Sequence, residues 1–225
     1  MPVEPTLEVE RALLRETSVV IGMDEVGRGA LAGPVTVGVS AVRAQECEAG
    51  FPGGLRDSKL LTERRREAFA PLAREWVWAC ATGWASATEI DEFGIGPSLA
   101  AAGVRALAQL WEQGVPVADS TVLLDGTHDW LSPGSTSPLH VVTRPKADRD
   151  CAAVAAASVI AKVERDQHMA QLVAADAQLE PYGWLRNKGY GSAAHRQAIV
   201  ALGASAHHRA TWLHKILAAS GSGAS

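Results

Sequence analysis

The sequence predicts an α/β domain built on a mixed sheet, and three observations carry that prediction. Three runs of strand character come early, two more alternate with helical segments later, and the composition can build one core. The 225 residues are 47% hydrophobic and 20% charged, an ordinary globular balance. Residues 18–23 form a compact apolar run, and 34–42 alternate valine with small side chains; both read as strands. The glycine-rich interval 24–33 between them reads as a turn. Thr62 is placed to cap a helix through residue 73, with Glu63 and an arginine run behind it. Residues 75–86 alternate large with small side chains and read as a third strand. A short helix is expected over 88–93 and a longer one over 96–113. The apolar run 120–124 ends at Asp125-Gly126 as a buried strand does, and 139–143 supplies the fifth strand. Asp150 is placed to cap an alanine-rich helix reaching about residue 175. Helices over 192–202 and 205–219 close the chain, and the low-complexity end 218–225 reads as a frayed, disordered tail.

Several function classes are excluded early. No apolar run approaches the roughly 18–20 residues needed to cross a bilayer, so no membrane association is expected. Acidic residues near the N-terminus argue against a signal peptide. Cys47, Cys80 and Cys151 are far apart and odd in number, which points away from a disulfide framework and towards a cytoplasmic location. The net charge is −4, from 21 basic and 25 acidic residues. Bulk charge therefore predicts no polyanionic partner, and any such partner must meet a local basic patch.

Chemistry-bearing residues fall in four places. Asp24-Glu25 close the first strand; successive strand side chains face opposite ways, so both enter one site only if the strand twists or ends there. A solvated turn is the alternative. Asp125 follows VLL and precedes Gly126, at the carboxyl end of a strand where open α/β sheets gather ligands, although Asp-Gly is also a common hairpin turn. Ser158, Lys162 and Asp166 form one polar stripe on an otherwise apolar helix, able to aim a carboxylate at a site or to form a plain exposed ion pair. Gly27-Arg28-Gly29 lets backbone amides approach a substrate while the arginine engages a phosphate. Gly189-Tyr190-Gly191, after Arg186-Asn187-Lys188, suits stacking on a sugar or base, or is an ordinary surface loop.

Four carboxylates without a histidine or cysteine motif suit hard divalent cations such as Mg2+ or Mn2+. The chain has no GxxxxGK[ST] phosphate loop, no GxSxG elbow and no HExxH. His207-His208 are expected at the surface, and the seven tryptophans to serve packing, with Trp184 close enough to Tyr190 to touch a substrate.

In order along the chain, MDEVGRGALAGPV (23–35), DSKLL (57–61), LLDG (123–126), AAASVIAKVERD (155–166) and YGWLRNKGYGSAAH (182–195) resemble the blocks of bacterial ribonuclease HII. The resemblance covers about 18–200. It implies a ribonuclease H-like mixed five-stranded sheet flanked by helices, with a small helical C-terminal portion. The expected division is an N-terminal extension 1–17, a catalytic domain 18–178, a substrate-contacting portion 179–217 and the tail. It further implies divalent-metal cleavage of the RNA strand of RNA–DNA hybrids and incision 5′ of single ribonucleotides in duplex DNA, with two Mn2+ or Mg2+ ions and 3′-hydroxyl and 5′-phosphate ends. A monomer is expected. By the resemblance, Asp24, Glu25, Asp125 and Asp166 are the catalytic, metal-binding acids. Gly27, Arg28 and Gly29 read the ribose 2′-hydroxyl and adjacent phosphates, and Tyr190 packs against the deoxyribose on the 3′ side. Lys59 and Lys188 are phosphate contacts, with Arg186, Arg196, His207, Arg209 and Lys215 as further basic candidates. Glu164 stands where the family has threonine and is expected to face away from Asp166. Two rival classes are a silent hybrid-binding module, which would gain nothing from clustered anions, and a small-molecule phosphomonoesterase, which would need a closed pocket.

Overall fold

Strands β1 (Val20–Val26) and β2 (Val35–Val42) are the apolar runs flanking the first glycine-rich interval, and they pair antiparallel with Val20 opposite Val42. The structure, a computed structural model, describes residues 4–221. Around these strands lie α1 (Glu8–Leu13), α2 (Ala44–Ala49), α3 (Glu63–Trp76), β3 (Ala79–Ala85), α4 (Ala87–Phe93) and α5 (Ile95–Glu112). The chain continues through β4 (Thr121–Asp125), β5 (His140–Arg144), α6 (Ala147–Asp150), α7 (Ala152–Ala175), α8 (Trp184–Asn187), α9 (Ala193–Leu202) and α10 (His214–Gly221). One sheet results, in the order β3-β2-β1-β4-β5. Its first two pairings are antiparallel and its last two parallel, the mixed five-stranded sheet that the sequence predicts.

Helices cover both faces. On one side α5 buries Leu99, Ala102, Ala106 and Leu110 against Val37, Val39 and Val122. On the other, all ten residues 152–161 of α7 are buried, because small side chains let this helix lie close to the sheet. Glycines in the strands complete that closeness. A Cβ on Gly83 would sit 1.9 Å from the Ala102 carbonyl oxygen and 2.6 Å from the Ala106 nitrogen, both rigid backbone. Gly83→Ala is expected to destabilise the fold by about 3 kcal/mol or more, read as a lowered urea midpoint at unchanged m-value.

Some boundaries move for identifiable reasons. β1 runs through Val26, so Asp24 and Glu25 belong to the strand and the turn starts at Gly27. Residues 75–76 finish α3, where the Trp76 indole donates to the Glu46 carbonyl, and β3 starts only at Ala79. Asp150 does not cap α7. It lies in α6 with its carboxylate on Arg149 at 2.6 Å, and Cys151 holds the cap position without a side-chain bond. The first turn of α7 is met instead by buried Glu10 of α1, whose Oε1 accepts from the Ala153 amide at 2.8 Å. The N-terminal segment therefore docks on the domain, with Thr6 bridged to Cys151. Residues 205–213 form a turn and a short 3-10 segment (Ala210–Trp212) rather than helix. α10 extends to Gly221, and the rest of the expected tail, 222–225, lies outside the described residues. The three cysteines are free. No helix among the described residues is long and apolar enough to cross a membrane. A third core of Ala32, Met169, Tyr182, Trp184, Ile199 and Leu213 joins the loop after β1 to the C-terminal portion.

Candidate active site

β1 outruns its parallel neighbour, and that mismatch creates the site. Its pairing with β4 ends at Met23–Leu124, while pairing with β2 continues through Asp24–Gly38, Glu25–Val37 and Val26–Thr36. Asp125 is the last residue of β4, so Asp24 and Asp125 stand at the same carboxyl end of adjacent parallel strands. With Glu25, the 27–29 turn, Lys59, Lys162 and Tyr190 they line an open cleft of ≈ 240 Å³.

Burial and like charge dominate its electrostatics. Asp24 is only 4% exposed. Burial holds its carboxyl well above the usual range and Glu25 adds to the effect, against Lys59 and the Ser158 hydroxyl. Its Oδ1 accepts from the Glu25 amide at 2.8 Å. Burial likewise raises Glu25, opposed by Arg28, whose Nη1 donates to Glu25 Oε1 at 3.2 Å. Asp125 is raised by burial and by the Asp148 charge, while its Oδ1 accepts from the amides of Ala147 (2.7 Å) and Asp148 (3.3 Å).

Asp148 is the acid that sequence reading missed. It is 5% exposed, and its Oδ2 accepts from Lys59 Nζ at 2.6 Å. The same carboxylate raises buried Asp57, after burial itself. Burial pulls Lys59 down, but Asp148 and Asp24 together hold it above its ordinary value. The signal in the sequence is the paired acids of ADRD, of which the half-buried Asp150 reads as a helix cap.

Asp166 does not join the lining of this cleft. Its Oδ1 accepts from Lys162 Nζ at 2.6 Å, its Oδ2 lies 3.9 Å from Arg66 Nη2, and it faces an adjacent groove with Glu63 and Lys188. The physical reason is helical rise: four residues carry α7 roughly 6 Å along its axis, so Lys162 reaches the cleft and Asp166 lies beyond it. Lys188 is turned to Glu63 at 2.9 Å in that same groove. Glu164 points elsewhere, accepting from Arg74 and Thr82.

The 27–29 turn and Tyr190 form one unit. Tyr190, 36% exposed, accepts from the Gly27 amide at 3.0 Å through its hydroxyl, and Lys162 Nζ lies 5.7 Å from its ring centroid. The amides of Arg28 and Gly29 have no hydrogen-bond partner among the described residues. His208 and Arg209, expected at the surface, are buried, and Trp184 takes the packing role rather than the substrate contact. Trp184 is fully buried and donates from Nε1 to His195 Nε2 at 3.0 Å, so it packs rather than touching a substrate. His208 Nε2 meets the same His195 nitrogen at 3.0 Å, and burial pushes His208 down to about 4. Arg209 is fully buried and donates to loop carbonyls. Arg186 and Arg196 are exposed, His207 is half-buried, and the side chain of Lys215 lies outside the described residues.

Among the described residues, no three His, Cys, Asp or Glu are drawn tightly enough together to form a finished ion site. The donor set nonetheless fits hard divalent cations. It consists of carboxylates alone, it is crowded enough to raise proton affinity at three positions, and Lys59 supplies only part of the positive charge it demands.

The family model described as Ribonuclease HII matches residues 21–215. Ribonuclease HII of Streptomyces griseus is 48% identical over 219 residues, covering 95% of this chain and 86% of that protein. The crystal structure of ribonuclease H2 from Pyrococcus horikoshii superposes with a TM-score of 0.70 at 26% identity, covering 89% of this chain and 98% of that one. Bst-RNase HIII in complex with Mn2+ gives a TM-score of 0.63 at 26% identity, covering 85% and 65% respectively.

Proposed function

The chain belongs to the ribonuclease HII family, nuclease hydrolases acting on the RNA of RNA–DNA hybrids, and on that premise we propose that its cleft also incises duplex DNA 5′ of a single embedded ribonucleotide. The products carry 3′-hydroxyl and 5′-phosphate ends. One observation carries this reading: Asp24, Glu25 and Asp125 meet at the end of the parallel β1–β4 pair, directly beside the 27–29 turn and Tyr190. Residues 18–178 carry the catalytic carboxylates, 179–217 contribute the substrate-contacting face, and Thr6 and Glu10 of the N-terminal extension 1–17 brace the first turn of α7. A single chain supplies every part, so a monomer suffices.

Asp24, Glu25, Asp125 and Asp148 would hold Mn2+ or Mg2+. A pair of such ions supplies positive charge to the attacking and leaving oxygens of phosphoryl transfer. The Mn2+ complex of the structurally similar Bst-RNase HIII supports this choice. The protein's own part is positioning. The unpartnered amides of Arg28 and Gly29 donate to the ribose 2′-hydroxyl and the adjoining phosphate, the contact by which ribose is told from deoxyribose. The Arg28 guanidinium, on an exposed side chain, can leave Glu25 for a phosphate. Tyr190 presents its ring to the sugar on the 3′ side while its hydroxyl keeps the turn in place. Lys59 orients Asp148, Lys188 meets a phosphate beyond the cleft, and Asp166 anchors Lys162. Sequence readout is unnecessary, so a small set of phosphate contacts suffices for a chain of net charge −4.

A DNA duplex holding one ribonucleotide tests the reading. With Mn2+ or Mg2+ the protein is expected to nick on the 5′ side of that nucleotide, and chelation with EDTA to abolish the nick. Equal cutting of an all-DNA duplex would remove the ribose-sensing role.

A further inference from the structure

Beneath the loop that follows β1 lie two guanidinium groups that no carboxylate touches. Arg165 of α7 and Arg209 are both fully buried. Neither forms an ion pair among the described residues. Their hydrogen-bond partners are carbonyls, and each also lies over a ring, Arg165 5.4 Å from the Tyr190 centroid and Arg209 4.8 Å from that of Trp212. Arg165 donates to Pro34 (2.9 Å), Ala32 (3.1 Å) and Lys188 (2.9 Å). Arg209 donates to Gly27 (2.6 Å), Arg28 (2.8 Å) and, twice, Gly33 (3.1 and 3.2 Å). A buried charge without a counter-ion is costly, so such an arrangement calls for a compensating role.

The backbone bonds show what the two side chains join. Leu31 and Ala32 donate their amides to the Gly189 carbonyl, Gly33 donates to His207, and the Arg209 amide donates to Leu31. Gly27, at φ +81°, is so close to Arg165 that a Cβ there would lie 2.1 Å from its Nε. The loop and the C-terminal portion are therefore one rigid piece built around two cations. The peptide chemistry is more specific still. The Gly27 carbonyl and the Arg28 amide belong to one peptide unit, and the Arg28 carbonyl and the Gly29 amide belong to the next. Arg209 grips both carbonyl ends, and both amide ends lack a partner. A charge-assisted bond at the carbonyl polarises the unit and strengthens its N–H as a donor.

We infer that Arg209, backed by Arg165, is a positioning residue for substrate recognition: it orients and polarises the 27–28 and 28–29 peptides so that their amides bind the ribose and phosphate of the RNA strand. The inference rests on the ribonuclease reading above. The phosphodiester that docks on those amides also brings negative charge towards the two guanidiniums, which have no ion-pair contact among the described residues.

Arg209→Lys keeps the charge but loses the fork that spans two carbonyls. On an RNA–DNA hybrid it is expected to raise KM about tenfold while kcat stays within about threefold of the wild type. Because the variant can fail to fold, wild-type hydrogen exchange provides a second measurement. Adding the hybrid in EDTA, where it is not cut, should slow exchange at the Arg28 and Gly29 amides more than at Gly27, already bonded to Tyr190. A wild-type protein that leaves the hybrid intact would overturn the ribonuclease reading itself. An intact Arg209→Lys fold with unchanged KM would overturn this inference alone, and exchange at 28 and 29 unaffected by the hybrid would overturn it together with the amide contacts proposed above while leaving the cleavage itself standing.

Discussion

Asp148→Asn is expected to lower kcat on an RNA–DNA hybrid by about 1,000-fold, as Asp24→Asn does, whereas Asp166→Asn stays within about tenfold of the wild type. The contrast follows from what each carboxylate faces. Asp148 is buried beside Asp125, to which its own amide donates, and its charge raises the proton affinity of both Asp125 and Asp57. Losing it removes an anion from the donor set and leaves Lys59 without its 2.6 Å partner. Asp24 lies deeper in the same set, and an amide in its place withdraws one of the charges that attract a hard cation. Asp166 is separated from the cleft by Lys162 and already paired with it, so its loss frees the Lys162 ammonium and the more distant Arg66 guanidinium but takes no anion from the cleft. Single-turnover rates at saturating Mn2+, with far-UV circular dichroism to verify folding, distinguish the three. A severe loss at Asp166 with a mild one at Asp148 would restore the sequence-derived assignment of the fourth acid.

The places where sequence reading succeeded and failed have a common cause. Local signals were enough for the strands: alternating valines over β2, the apolar run closing at Asp125, and small residues that let α7 press on the sheet. They also sufficed for caps whose partners are near in sequence, as with Thr62 accepting from the Arg65 amide and Ser192 from that of His195. They failed where a polar side chain is satisfied from far away. Arg209 bonds to Gly27, 182 positions earlier, and Glu10 meets Ala153, 143 positions later. A buried arginine or histidine looks like a surface residue until the fold shows which carbonyl or ring receives its protons. Asp148 was obscured in a related way. It occupies a four-residue helical turn entered through Lys146 at φ 61°, and only that turn brings its amide and carboxylate back to β4.

Glu10→Gln is expected to raise folding stability by up to ~3 kcal/mol at pH 8 and to make stability rise more steeply with pH between 4.5 and 6.5 than in the wild type. Burial lifts the Glu10 carboxyl from 4.5 to about 7, against the Ala153 amide that donates to it. The folded chain therefore binds more protons than the unfolded one between those values. Stability linked to Glu10 is whole below pH 4.5 and is lost as pH rises through 7. His208 acts in the opposite sense. Burial lowers it from 6.5 to about 4, with His195 adding to the effect, so the folded chain binds fewer protons across that interval. Its contribution is whole above pH 6.5 and is lost as pH falls through 4. Between pH 4.5 and 6.5 the two slopes nearly cancel in the wild type. Glutamine keeps an oxygen for the Ala153 amide but carries no charge into the interior, so the falling contribution of Glu10 disappears and the His208 rise is no longer offset by it. Urea melts at pH 4.5, 6 and 8 check this directly. A Glu10→Gln protein less stable than wild type at pH 8 would mean that the ionised carboxylate is worth more to the N-terminus of α7 than its burial costs, since a negative charge there is attracted by the helix dipole and the free amides of the first turn.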